Sequence, residues 1–256
     1  MMHEEKIKAW LELGAKILET CNGVLLQAQF EEKDKTLSNP KVIALTLMCR
    51  TVNNFGALRV LIENEFVVEA RTIARCCYEN LFWLGGLTAK GDEFVKQMMD
   101  DHELSTIKRG NELMKWAKKQ DGKLDFEGPL AAFLEKMKAQ SSAKSGVVHK
   151  NAADAGKLGE GYIIYRTLST DSAHPSIVSL SRHIGQKTEV EIEYVTIIGE
   201  PPPDSAEIDE TLKFGCSSLL GACVAANQII GGTPSGQALG ALFDEYITLS
   251  SDRANS

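Results

Sequence analysis

Apolar positions recur at helical spacing along most of the chain. Trp10, Leu13, Ile17 and Leu18 form one stripe that continues through Val24 and Leu25, the three-to-four-residue rhythm of an amphipathic helix. A polar run from Glu31 to Asn39 ends it. Ser38-Asn39-Pro40 then reads as a helix start, a capping side chain followed by proline in the first turn. The pattern predicts a second helix over about 40–65. A third, over about 66–87, follows with almost no loop and is stopped by Gly85-Gly86 and Gly91. A fourth covers about 92–119 and is closed by Asp121-Gly122. Further helices are predicted over 129–140, 160–173, 206–230 and 235–249. Pro175 restricts His174 away from helical geometry, so the chain turns there.

Two stretches depart from this rhythm. Residues 141–161 are rich in Ser, Ala, Gly and Lys without periodicity, and we read them as a flexible loop. Over about 188–198, Val190, Ile192, Tyr194, Thr196 and Ile198 alternate with Glu189, Glu191 and Glu193, the period of two expected of a strand. A strand needs a partner, sought near 179–184 or in another subunit. Pro201-Pro202-Pro203 ends it. The expected fold is mainly α: a single-domain, multi-helix bundle over 1–256 with a small β element.

Composition narrows the function. With 43% hydrophobic and 25% charged residues in 256, the chain can build a sizeable core. A net charge of −7 argues against a general binder of nucleic acid or anionic membrane. The stretch from Lys108 to Lys157 runs the other way, with 11 Lys+Arg against 6 Asp+Glu. It is either a solvated lysine-rich face or a seat for an anion or an acidic partner. Cys21, Cys49, Cys76, Cys77, Cys216 and Cys223 form no C-x-x-C pair and are expected as reduced, mostly buried thiols. The charged N-terminus does not read as a signal peptide. Phe214 to Phe243 lacks charge, but Asn227, Gln228, Gly231, Gly232 and Pro234 interrupt it; a buried bundle helix suits it better than a membrane span. A cytoplasmic protein is expected.

Candidate chemistry centres on two segments. On the third helix Arg71, Arg75 and Glu79 fall at i, i+4 and i+8 among apolar neighbours. Such a stripe must be satisfied inside the bundle, as an ion-pair network or as the lining of a cavity. Arg50 and Asn54 pair similarly on the preceding helix. In the second segment Tyr162, Tyr165 and Ser169 share a helix face, and His174 is expected at the helix end. The negative end of the helix dipole there would favour the protonated imidazole and suit proton transfer, or the histidine simply caps carbonyls.

These residues carry a resemblance. Ala70-Arg71-x-x-x-Arg75-x-x-x-Glu79, with Tyr165-x-x-x-Ser169 and His174-Pro175, resembles the bacterial domain-of-unknown-function family 5677 over about 46–230, which implies a helical bundle and no agreed activity. More widely, the chain resembles HEPN proteins, helical bundles of toxin–antitoxin and antiphage systems, many of which cut RNA without metal. That likeness implies a dimer cleft, RNA as substrate and a cognate antitoxin or defence partner. The HEPN signature is Arg, four to six residues, then His; here the nearest pair, Arg166 and His174, is separated by seven residues. The leading expectation is a metal-independent ribonuclease using His174 with Arg75 or Arg166. The alternative is a non-catalytic homo-oligomeric module that binds a ligand or partner through Arg50, Arg71, Glu79, Tyr165 and Ser169. Asp171-x-x-His174 with Glu79 sketches a metal site but lacks the second copy that helical di-iron proteins use, so neither metal nor cofactor is expected. There is no phosphate-binding glycine loop, G-x-S-x-G elbow or H-E-x-x-H motif.

Overall fold

A computed structural model describes residues 2–31, 36, 38–120, 124–170, 174–189, 192–199 and 204–251. The chain is mainly α. Four long helices form the centre: α1 (Met2–Gln27), α2 (Pro40–Glu63), α3 (Val67–Lys90) and α9 (Ser205–Ile229), which pack on one another around Trp10, Leu13, Phe55, Leu58, Phe82, Leu212 and Leu219. Asn39 caps α2 as its sequence suggests, its side-chain oxygen accepting from the Lys41 N–H at 2.8 Å. Glu65 adopts a left-handed φ of 65°, ending α2 sharply so that α3 folds back along it. One buried polar link ties the first and ninth helices: the Trp10 indole donates to Asp209 at 2.7 Å.

Other elements decorate this bundle. α4 (Asp92–Ala117) and α5 (Glu127–Gln140) form a helical hairpin, α6 (His149–Ala155) and α7 (Gly159–Leu168) lie against α3, and α8 (Ile177–Ser181) leads into the strands. A 3-10 turn (Pro234–Ala238) and α10 (Leu239–Ser251) close the chain against α1. No helix among the described residues is long and apolar enough to cross a membrane. All six cysteines are free thiols, and only Cys49 and Cys76 are partly exposed.

Four expectations require correction. α3 does not stop at Gly85-Gly86 but runs to Lys90 and ends at Gly91, whose φ is +52°. The two glycines serve packing instead: a Cβ on Gly86 would strike the Phe94 ring at 2.3 Å, and one on Gly85 would meet the Gly156 backbone at 3.1 Å. The predicted loop over 141–161 contains α6 and the start of α7; only residues 141–148 and 156–158 of it lie outside helices. α6 is held by burial of the small Ala152 and Ala153, so tertiary packing rather than an apolar stripe stabilises it. As an α-helix α7 ends at Leu168 rather than near 173 and passes into π geometry at 169–170; residues 171–173, which lead to His174, lie outside the described residues. The single strand over 188–198 is two: β1 (Ile184–Glu189) pairs antiparallel with β2 (Ile192–Ile197), Ile184 opposite Ile197 and Glu189 opposite Ile192. The partner is thus the adjacent segment, which closes the shortest loop, and its Gly185-Gln186-Lys187 carry little strand signal. Val190, Glu191, Pro201-Pro202-Pro203 and Asp121-Gly122 lie outside the described residues.

Candidate functional site

The site grows from one face of α3. Arg75 and Glu79, one turn apart, form an ion pair at 2.9 Å. α7 lies over them and presents its own i, i+4 pair, Tyr165 and Ser169. The Arg75 Nε donates to Ser169 Oγ at 2.8 Å, and Nη2 donates to Tyr165 Oη at 3.1 Å. The Arg75 guanidinium also sits 5.0 Å from the Tyr165 ring centroid, a cation–π contact. One arginine therefore clamps two positions of α7.

α6 brings a third group. His149, its first residue, places Nδ1 3.4 Å from Tyr165 Oη and 3.9 Å from Glu79 Oε1. The Tyr165 hydroxyl donates to Glu79 at 3.3 Å. Its oxygen then has room for two donors, Arg75 Nη2 and a protonated His149 Nδ1. In the neutral tautomer with its proton on Nδ1, the other imidazole nitrogen, Nε2, is an acceptor. A histidine oriented by a second group in this way is equipped for proton transfer.

The cluster floors an open cleft of about 540 Å³ lined by His149, Lys150, Tyr162, Tyr165, Arg166, Ser169, Thr170 and His174. Lys150 on the rim is bonded to Asp154 at 2.8 Å, and that hydrogen bond holds its ammonium above the ordinary lysine range, so it stays charged at neutral pH. Arg166 is exposed and makes no side-chain pair among the described residues. The position of α6 and α7 depends on close backbone approach: a Cβ on Gly156 would lie 2.6 Å from Gly85 Cα.

The structure brings Arg75, Glu79, Tyr165 and Ser169 into one network, with Arg166 and His174 on the same cleft. Arg71 belongs elsewhere. It is buried and meets Glu207 at 3.4 Å and Glu210 at 3.1 Å on α9, and Glu207 also pairs with Arg182. The i, i+4, i+8 stripe is thus split between two networks, because α9 covers its first turn and α7 its second. Among the described residues, Arg50 is exposed on α2 and makes no hydrogen bond to the cleft residues, and the Asn54 side-chain nitrogen is buried without a hydrogen-bond partner. His174 is exposed, and its carbonyl accepts from Ser179 Oγ at 3.2 Å. Asp171 lies outside the described residues, and no metal-competent cluster of three His, Cys, Asp or Glu occurs among the described ones.

Sequence reasoning missed His149 and Lys150. They sat in the segment read as loop, and their distance from Glu79 in the chain hid the contact. Val147-Val148 followed by a His-Lys-Asn-Ala-Ala run was the available signal for a short helix start. No curated protein and no solved structure matches the chain. Residues 41–191 do match a family of unknown function, DUF5677, a span that holds Arg75, Glu79, His149 and Tyr165, and the chain belongs to that family.

Proposed function

We propose that the cleft between α6 and α7 is an acid–base site for metal-independent cleavage of RNA, and that the protein is an HEPN-like cytoplasmic component of a toxin or antiphage system, working as a homodimer with a cognate partner. The observation that carries this reading is His149, whose Nδ1 stands 3.4 Å from Tyr165 Oη on the cleft that Lys150 and Arg166 also line; in the tautomer with its proton on Nδ1, Nε2 is an acceptor. His149 Nε2 would take the proton of the ribose 2′-hydroxyl as its oxygen attacks phosphorus. The 5′-oxygen leaves and takes a proton, for which His174 on the same cleft is the candidate donor. Arg166 and Lys150 would offset charge on the phosphate, and Arg75 holds Tyr165 and Ser169 in place.

A second reading, a non-catalytic module, is favoured by the full satisfaction of Arg75 and Tyr165 by protein partners, as in a structural clip. One assay separates the two. Purified protein incubated with single-stranded RNA in excess chelator should yield fragments ending in 2′,3′-cyclic phosphate. No cleavage, or cleavage that the chelator abolishes, would support the binding module or metal chemistry instead.

A further inference from the structure

The cleft also holds an aromatic surface that the acid–base chemistry does not use. Tyr162 lines it, is partly exposed, and stacks on Tyr165 with ring centroids 5.8 Å apart and planes 28° from parallel. Phe82 supports both rings from below, at 6.1 Å from Tyr162 and 5.6 Å from Tyr165. Gly161 allows this seating, since a Cβ there would stand only 3.3 Å from the Tyr78 ring. The Tyr165 hydroxyl is fully engaged, whereas that of Tyr162 makes no hydrogen bond among the described residues. Arg166, four residues along the same helix, rims the cleft and makes no ion pair among the described residues.

From this juxtaposition of a supported aromatic stack with an exposed arginine we infer that Tyr162 is a nucleobase-stacking subsite, taking one unpaired base whose phosphate meets Arg166. Every base has a π-face, so such a platform tolerates sequence but rejects a base locked in a duplex. The inference deepens the ribonuclease reading by assigning single-stranded substrate, and it can be tested without catalysis.

The full-length protein is titrated with 2′-O-methyl oligo(A), which lacks the attacking hydroxyl, with the same strand in a duplex, with adenosine monophosphate and with ribose 5-phosphate. We expect the single strand to bind at least tenfold tighter than the duplex, and adenosine monophosphate to outbind ribose 5-phosphate. Tyr162→Ala should weaken binding of the single strand about tenfold or more, the loss typical of a stacked base, while Tyr162→Phe retains it. Tyr162→Leu keeps apolar bulk without an aromatic face and should behave like the alanine variant. Equal affinity for the mononucleotide and the strand would support the subsite and assign it to a free nucleotide. Affinity that ignores the base, or that survives in a folded Tyr162→Leu protein, overturns the inference. Tyr162-dependent binding without RNA cleavage by the wild type would sink the ribonuclease reading alone.

Discussion

Tyr165 Oη and His149 Nδ1 stand 3.4 Å apart on two different helices, with the rings edge to face at 69°. The tyrosine also reaches Glu79 and Arg75 on α3, so a single hydroxyl joins three helices. Replacing Tyr165 by phenylalanine removes the link but keeps the ring against Phe82. The expected stability loss is about 1 kcal/mol, the net worth of a typical hydrogen bond, measured by denaturant unfolding. RNA cleavage should fall by more than that loss of stability explains, because the histidine loses its orienting partner. A Tyr165→Phe protein with unchanged cleavage would remove the tyrosine from the mechanism.

Arg71 and Arg75 should separate stability from function. Arg71 has 4% of its side chain exposed and faces two carboxylates of α9. Arg71→Ala removes a buried guanidinium and its contacts with both carboxylates, although Glu207 keeps Arg182, and should cost about 3 kcal/mol. Arg75 is 18% exposed, and Arg75→Ala should cost less, about 1.5–3 kcal/mol for its charged hydrogen bonds, while abolishing activity. Paired melting curves and cleavage assays check this ordering; an Arg75 variant that is the less stable and the more active of the two contradicts it.

Gly156→Ala tests whether backbone approach positions the site. The added methyl would lie 2.6 Å from Gly85 Cα, where no flexible side chain can yield. Overpacking of this kind costs about 1–3 kcal/mol, and it should lift α6 and α7 away from α3. Hydrogen exchange should then accelerate in 149–168 while the centre of α9 stays protected. Uniform exchange across both would show that α6 and α7 are not a separable layer.

Thiol labelling probes the core. Burial pushes the Cys77 thiol up to about 12 and raises Cys216 further still, so both should resist alkylation at pH 8 in the native state. Cys49 and Cys76 are partly exposed and should label first. Rapid native labelling of Cys77 would mean that α3 is not buried as described.

The long helices were legible because their apolar stripes are continuous, as in Trp10, Leu13 and Ile17, and because Asn39-Pro40 is a local capping signal. Local signals misled where tertiary packing decides. Gly85-Gly86 reads as a helix stop, yet in α3 the glycines admit Phe94 and the Gly156 backbone. α6 was invisible because Ala152 and Ala153 are too small to mark a stripe. Arg75, Glu79, Tyr165 and Ser169 were legible as helical i, i+4 pairs. His149 was not, since 70 residues separate it from the Glu79 it approaches and only the fold brings them together.

The central claim is that His149, rather than His174, is the oriented base of the cleft. The most direct measurement is the single-turnover rate of RNA cleavage in chelator for His149→Ala and His174→Ala, with melting temperatures recorded alongside. We predict that His149→Ala loses cleavage by 10²-fold or more, the scale of general base catalysis, with little change in melting temperature because the ring is about one-third exposed. His174→Ala should retain a reduced but measurable rate. Full activity in a folded His149→Ala protein, with loss confined to His174→Ala, would contradict the account.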